Sequence, residues 1–208
     1  MRVLVFGDSI TQGMWDTRGG WAQRLVTDFF DMQLKDLTAD VPWVFNLGIS
    51  GDTTKQLLSR FEAETVARLG ADMAFVFAIG TNDAWINADG GFNMSPEIYS
   101  ANLKKLIAKA RTYGSRILFV GLASVDESQT MPVSWIDISY TNERLALFEH
   151  TLKQVCDEEH VDFVPIFDAF QEAQAKQNLL TDGLHPNDQG HELILGLVKP
   201  QIAKLFSS

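Results

Sequence analysis

Phe6-Gly7-Asp8-Ser9-Ile10 directly follows the apolar run Val3-Leu4-Val5, so Ser9 falls on the turn that leaves a buried strand. Such a stretch is either an ordinary turn that tolerates small residues or a mount for a nucleophilic hydroxyl. Far along the chain, Thr181-Asp182-Gly183-Leu184-His185-Pro186-Asn187 sets a carboxylate three residues before an imidazole, across a glycine. That spacing lets Asp182 fold back and accept the Nδ1–H of His185, which fixes the tautomer and frees Nε2 to act as a base. Two further polar turns, Asn46 to Asp52 and Gly80-Thr81-Asn82-Asp83, also follow apolar runs. Taken singly, each signal is weak, since short motifs of this kind are more often structural. Together they supply a nucleophile, a base with its orienting acid, and extra hydrogen-bond donors, which is the constellation of acyl transfer.

The elements that must hold these residues alternate between strand and helix. Strands are expected at 2–6, 41–48, 73–80, 116–122 and 161–166. Residues 73–80 are apolar throughout, as in a strand covered on both faces. Helical spacing of apolar residues predicts helices over about 20–36, 53–69, 96–112 and 139–159, and a last helix from near Asn187, a good N-cap type. Pro200 predicts a kink or break late in that helix. The alternation implies an α/β protein: a three-layer α/β/α, flavodoxin-like five-stranded parallel sheet in the order 2-1-3-4-5. No linker-like stretch divides the chain, so residues 1–208 read as a single domain. Ligands bind such sheets at the carboxyl ends of the strands, where the order reverses. The turns after the first three strands then meet there, with Ser9 in the middle.

Four ordered blocks resemble the SGNH, or GDSL-type, esterases and lipases. Gly7-Asp8-Ser9-Ile10 is similar to the nucleophile block, with Ile10 where the common name of the family has Leu. Asn46 to Asp52, Gly80 to Asp83 and Asp182 to Pro186 are similar to the other three. The resemblance implies a metal-free, cofactor-free serine hydrolase with Ser9, His185 and Asp182 as its triad. It also implies an oxyanion hole from the backbone N–H groups of Ser9 and Gly51 and the amide of Asn82. Ser50, in Gly48-Ile49-Ser50-Gly51, is the alternative nucleophile, although its flanks match the oxyanion block. Asp8, Asp52 and Asp83 are expected to stiffen their turns through local backbone donors.

Two long loops, 84–95 and 123–138, are candidates for the substrate rim. Trp85, Ile86 and Phe92 lie in the first, and Met131, Trp135 and Ile136 in the second. They either pack on the body of the protein or offer apolar contacts to an acyl or alkyl group. The remaining histidines, His150, His160 and His191, read as surface or half-buried residues, and Cys156 as a small buried one.

With 17 Lys plus Arg against 27 Asp plus Glu, the net charge is −10. That balance disfavours nucleic acids and anionic membranes as partners. No apolar stretch has the length of a membrane span or a secretory signal, so a cytoplasmic enzyme acting on a small ester is expected. Three rival readings remain at this level. A mononucleotide-binding flavodoxin-like protein leaves Asp182 and His185 unused. An acyltransferase, thioesterase or lysophospholipase would use the same residues. A non-catalytic binding protein would have no need of the full set.

Overall fold

The computed structural model describes residues 1–207. Its main sheet comprises β1 (Arg2–Gly7), β2 (Trp43–Gly48), β3 (Met73–Ala78), β5 (Arg116–Val120) and β7 (Asp162–Val164), all parallel, in the spatial order β2-β1-β3-β5-β7. Counting these five strands along the chain, the order is the expected 2-1-3-4-5. Helices α2 (Gly20–Lys35), α3 (Thr54–Ala67), α4 (Pro96–Arg111), α6 (Asn142–Glu159), α7 (Phe167–Gln174) and α8 (Asp188–Ser207) cover both faces.

Strand alternation divides the core in two. Leu4, Phe6, Phe75 and Phe77 face one layer and pack with Leu57 and Phe61 of α3, Leu103 of α4 and Phe148 of α6. Val3, Val5, Ala74 and Val76 face the other, against Trp21 and Leu25 of α2, Phe170 of α7 and Val198 of α8. The second face carries the smaller side chains, while the phenylalanines of the first pack ring against ring. Phe77 lies 5.8 Å from Phe6 and 5.0 Å from Phe119. Burial of this kind, at about 25 cal/mol per Å² of apolar surface, supplies the main drive for folding.

Several boundaries differ from the sequence pattern. Helix α6 begins at Asn142 rather than 139, because the Thr141 hydroxyl accepts the Arg144 N–H and caps it. Helix α7 was not expected. Its first turn is tied to α6 by the buried carboxylate of Glu149, which accepts the N–H groups of Leu122, Ile166 and Phe167. The predicted break at Pro200 does not occur, and α8 continues through it. Proline removes the N–H that would bond the Gly196 carbonyl, but Gly196 and Pro200 both lie on the exposed side, where water can take that carbonyl.

The two long loops are not structureless. β4 (Ile86–Asn87) in the first pairs antiparallel with β6 (Ile138–Ser139) in the second, and a one-turn helix, α5 (Glu127–Thr130), opens the second. The loops are thereby zipped into one ribbon above the carboxyl edge of the sheet. Arg144 of α6 anchors this ribbon, donating to the Ala84 and Met94 carbonyls.

Candidate active site

Register sets the site. Gly7 of β1 lies abreast of Gly48 of β2 and Ala78 of β3, so the turns that follow emerge side by side. Only glycine fits at position 7: a Cβ there would come within 2.0 Å of Thr11 Oγ1 and 2.6 Å of the Ala78 carbonyl. The chain then enters α1 (Ser9–Gln12), a single turn that Asp8 caps by accepting the Ile10 N–H at 2.9 Å. The expected stiffening role of Asp8 is therefore present. Its carboxyl is 2% exposed, and burial raises its pKa to about 7 against the opposing pull of the Ile10 N–H.

The second turn is drawn to the first. The Ile49 N–H and Arg60 Nη2 both donate to the Gly7 carbonyl, at 3.0 and 3.1 Å. Arg60 Nε also pairs with Asp52 Oδ2 at 2.6 Å, so Asp52 works through an arginine of α3 and not through local backbone donors as expected. Gly51 adopts φ +83°, a conformation natural to glycine, and a Cβ there would meet open space. Among the described residues, the N–H groups of Ser9 and Gly51 donate to no protein acceptor. Ser50 sits at the rim. Its N–H donates to Gln12 Oε1, and its hydroxyl reaches only the Met14 sulfur, at 3.8 Å, so no base serves it.

The third turn is the short 3-10 helix Asn82–Ala84. Asn82 Nδ2 donates to the Asp52 carbonyl at 2.9 Å, and Asn82 Oδ1 accepts the Tyr140 hydroxyl at 2.9 Å. These two bonds fix which way the amide faces and leave its second N–H unused. Asp83, fully buried, accepts the N–H of Thr54 at 3.0 Å as well as its hydroxyl, and so ties the turn to the start of α3. Burial raises its pKa to about 6, against the pull of those Thr54 bonds.

The fourth segment is closed by the Thr181 N–H donating to the His185 carbonyl at 2.9 Å, and Asn187 Oδ1 caps α8. His185 Nδ1 lies 2.7 Å from Asp182 Oδ2, and His185 Nε2 lies 3.0 Å from Ser9 Oγ. Asp182 Oδ1 accepts the N–H groups of Leu184 and His185, and Oδ2 also accepts the Trp15 indole N–H at 2.8 Å. Burial alone would raise the Asp182 pKa, but the imidazole and the two backbone donors outweigh it and hold it at about 2. A hydroxyl, an imidazole and a carboxylate thus form one hydrogen-bonded line, with free N–H donors beside the hydroxyl. This arrangement can deprotonate the serine as it attacks a carbonyl and can hold the oxyanion that results.

A pocket of about 250 Å³ opens over Ser9 and is bounded by Met14, Gly51, Asn82, Trp85, Trp135 and His185 among others. The Trp135 ring lies 5.9 Å from the His185 ring. Ile136 also borders the pocket. Ile86, Phe92 and Met131 do not. Ile86 is taken up in the β4–β6 ribbon, Phe92 lies over the Arg144 guanidinium at 3.8 Å, and Met131 points to solvent. Instead Val133, Ile138, Tyr140 and Leu184 complete the wall. Tyr140 sits within the stretch read as helix, so its position at the loop's end was hidden. His150 and His160 are exposed as expected, but His191 is not. It is fully buried under the start of α2, its Nδ1 accepts the Trp21 N–H at 3.3 Å, and burial lowers its pKa to about 4. Burial likewise pushes the Cys156 thiol up to about 12. Among the described residues, no group of three or more His, Cys, Asp or Glu side chains is disposed to hold a metal ion, and no helix is long and apolar enough to cross a membrane.

The fold and the chemistry at its edge define the class, a carboxylic ester hydrolase. The GDSL-like lipase/acylhydrolase family profile matches residues 5–193, and the chain belongs to that family. It is 26% identical over 204 residues to the isoamyl acetate-hydrolyzing esterase of Saccharomyces cerevisiae, covering 92% of this chain and 82% of that protein. It is 27% identical over 210 residues to the esterase TesA of Pseudomonas aeruginosa, covering 98% and 89%. A crystal structure of TesA superimposes with a TM-score of 0.72 at 26% identity, covering 99% of each chain. An acetylxylan esterase from Geobacillus stearothermophilus shares the fold with a TM-score of 0.74 at 21% identity, covering 97% and 93%.

Proposed function

We propose that the protein is a serine esterase that cleaves small, uncharged carboxylic esters through an acyl-enzyme intermediate. The observation that carries this reading is the line Ser9 Oγ–His185 Nε2 at 3.0 Å and His185 Nδ1–Asp182 Oδ2 at 2.7 Å, opening on the pocket. Ser9 attacks the ester carbonyl while its proton passes to His185 Nε2. Asp182 holds the imidazole in place and stabilises its protonated form. The developing oxyanion is received by the N–H groups of Ser9 and Gly51 and by the free N–H of the Asn82 amide. His185 then protonates the departing alcohol. Water, deprotonated by the same imidazole, releases the acid and restores Ser9.

The walls argue for the substrate class. Trp85, Val133, Trp135, Ile136, Ile138 and Leu184 are apolar. Of the polar groups among these walls, the Tyr140 hydroxyl is engaged by Asn82 and the Trp85 indole N–H by Asn87, while the Ser50 hydroxyl lies at the rim. No charged side chain borders the cavity except the reacting His185 when protonated. Such a site favours a short, neutral ester with apolar acyl and alkyl parts, of the kind for which the yeast relative is named. Ser9→Ala tests the reading: hydrolysis of p-nitrophenyl acetate should fall to background while the fold is kept. Near-wild-type turnover in that variant would refute it.

A further inference from the structure

Trp15 lies just after α1, and the chemistry above makes no use of it. Its backbone has φ +64°, a left-handed conformation that a bulky side chain rarely adopts. The surroundings impose it from both sides. Before it, Gly13 ends α1 at φ +88° and its carbonyl accepts the Asp16 N–H at 3.1 Å. After it, the Asp16 carboxylate accepts the Gly20 N–H at 2.7 Å and pairs with the Arg24 guanidinium at 2.8 Å. Held between these anchors, the indole reaches the far end of the sequence and donates its N–H to Asp182 Oδ2 at 2.8 Å. The residue is 60% exposed, so packing into a core does not explain its placement.

That oxygen also accepts the Nδ1–H of His185, while Asp182 Oδ1 takes two backbone N–H groups. Each oxygen therefore carries two donors, the full capacity of a carboxylate. Strained backbone persists where neighbours over-determine it, and it gathers at functional sites. We propose that Trp15 is a positioning residue of the triad, whose indole N–H shares Asp182 Oδ2 with His185 and so fixes the carboxylate and tempers the charge it presents to the imidazole. The proposal rests on the Ser9–His185–Asp182 reading above. It also ties the nucleophile segment to the acid segment, two stretches that no strand pairing joins.

Trp15→Phe keeps an aromatic ring and removes the donor. Kinetics on p-nitrophenyl acetate are compared for wild type, Trp15→Phe and Ser9→Ala, with active sites counted by fluorophosphonate titration. Without the bond that fixes the carboxylate, the imidazole is held less accurately against Ser9, which should lower kcat per active site about tenfold. KM should stay within about twofold, since the indole does not border the pocket. The acid limb of kcat/KM should move to higher pH, because Asp182 with one donor fewer holds the protonated imidazole more strongly. The other titratable groups facing His185 are Asp8, on the turn after β1, and His191, on α8. Both are the same in the two proteins, so the difference between profiles reports Trp15. The downfield proton resonance of the His185 Nδ1–H should shift as well. If Trp15 were only structural, the variant would lose active sites but keep kcat per site and the acid limb, and the proposal would fail. Activity surviving in Ser9→Ala would overturn the triad reading itself, so the two failures are distinguishable.

Discussion

Replacing Asp8 with Asn should make the protein more stable at neutral pH and leave it nearly unchanged in acid. Asp8 is 2% exposed, joins no ion pair among the described residues, and makes one hydrogen bond, from the Ile10 N–H. Burial raises its pKa to about 7 in the folded protein, against about 3.9 for an unfolded aspartate. Between those values the folded state keeps a proton that the unfolded state has released. Stability must then fall as pH rises from about 4 to about 7, and level off above. A shift of about 3 units at about 1.36 kcal/mol each amounts to about 4 kcal/mol. Asparagine matches the shape, keeps an oxygen for the Ile10 N–H and carries no charge to desolvate. Urea unfolding of wild type and Asp8→Asn at a series of pH values measures the difference directly. With a slope of about 2 kcal/mol/M, the midpoints should separate by about 2 M across that window. The opposite contributions of Asp182 and His191, which cost stability in acid, are common to both proteins and cancel. Midpoint curves that run parallel from acid to neutral would refute the reasoning, since Asp8 would then ionise in the folded state as it does in the unfolded one.

Three further predictions concern the oxyanion side and the pocket wall. Asn82→Ala should lower kcat by about 10²–10³ with little change in KM. Tyr140→Phe, which only releases the amide to turn, should cost about tenfold, and the double variant should cost less than the product of the two. Steady-state kinetics on p-nitrophenyl acetate measure all three. Trp135→Ala removes an indole from the wall beside His185. It should raise the ratio of kcat/KM for hexanoate over acetate esters about tenfold, read from a graded p-nitrophenyl ester series.

Much of this architecture is written locally. Val3 to Phe6 and Met73 to Ala78 are continuous apolar runs, and a strand covered on both faces requires nothing more. The four active-site segments are each contiguous in sequence, and the order of the sheet brings them to one edge. Features that depend on distant partners were not legible. Helix α7 has two buried apolar residues, Phe167 and Phe170, and is held at its start by Glu149 of α6. β4 and β6 have two residues each, too few to display a period, and exist because the two loops meet. Arg60, Tyr140 and Trp15 reach the site from elements read as a helix face, a helix start and an unremarked turn. Their roles come from side-chain reach, which the spacing of a sequence does not encode. For the same reason Phe92 resembled a substrate contact and proved to cover Arg144.

The central claim is that Ser9 is the nucleophile. Reaction of the native protein with a fluorophosphonate, followed by intact mass and peptide mapping, tests it most directly. One adduct per chain is expected, on Ser9 in the peptide containing Gly7-Asp8-Ser9-Ile10, and none in Ser9→Ala or His185→Ala. An adduct on Ser50, or an active enzyme that takes no label, would contradict it.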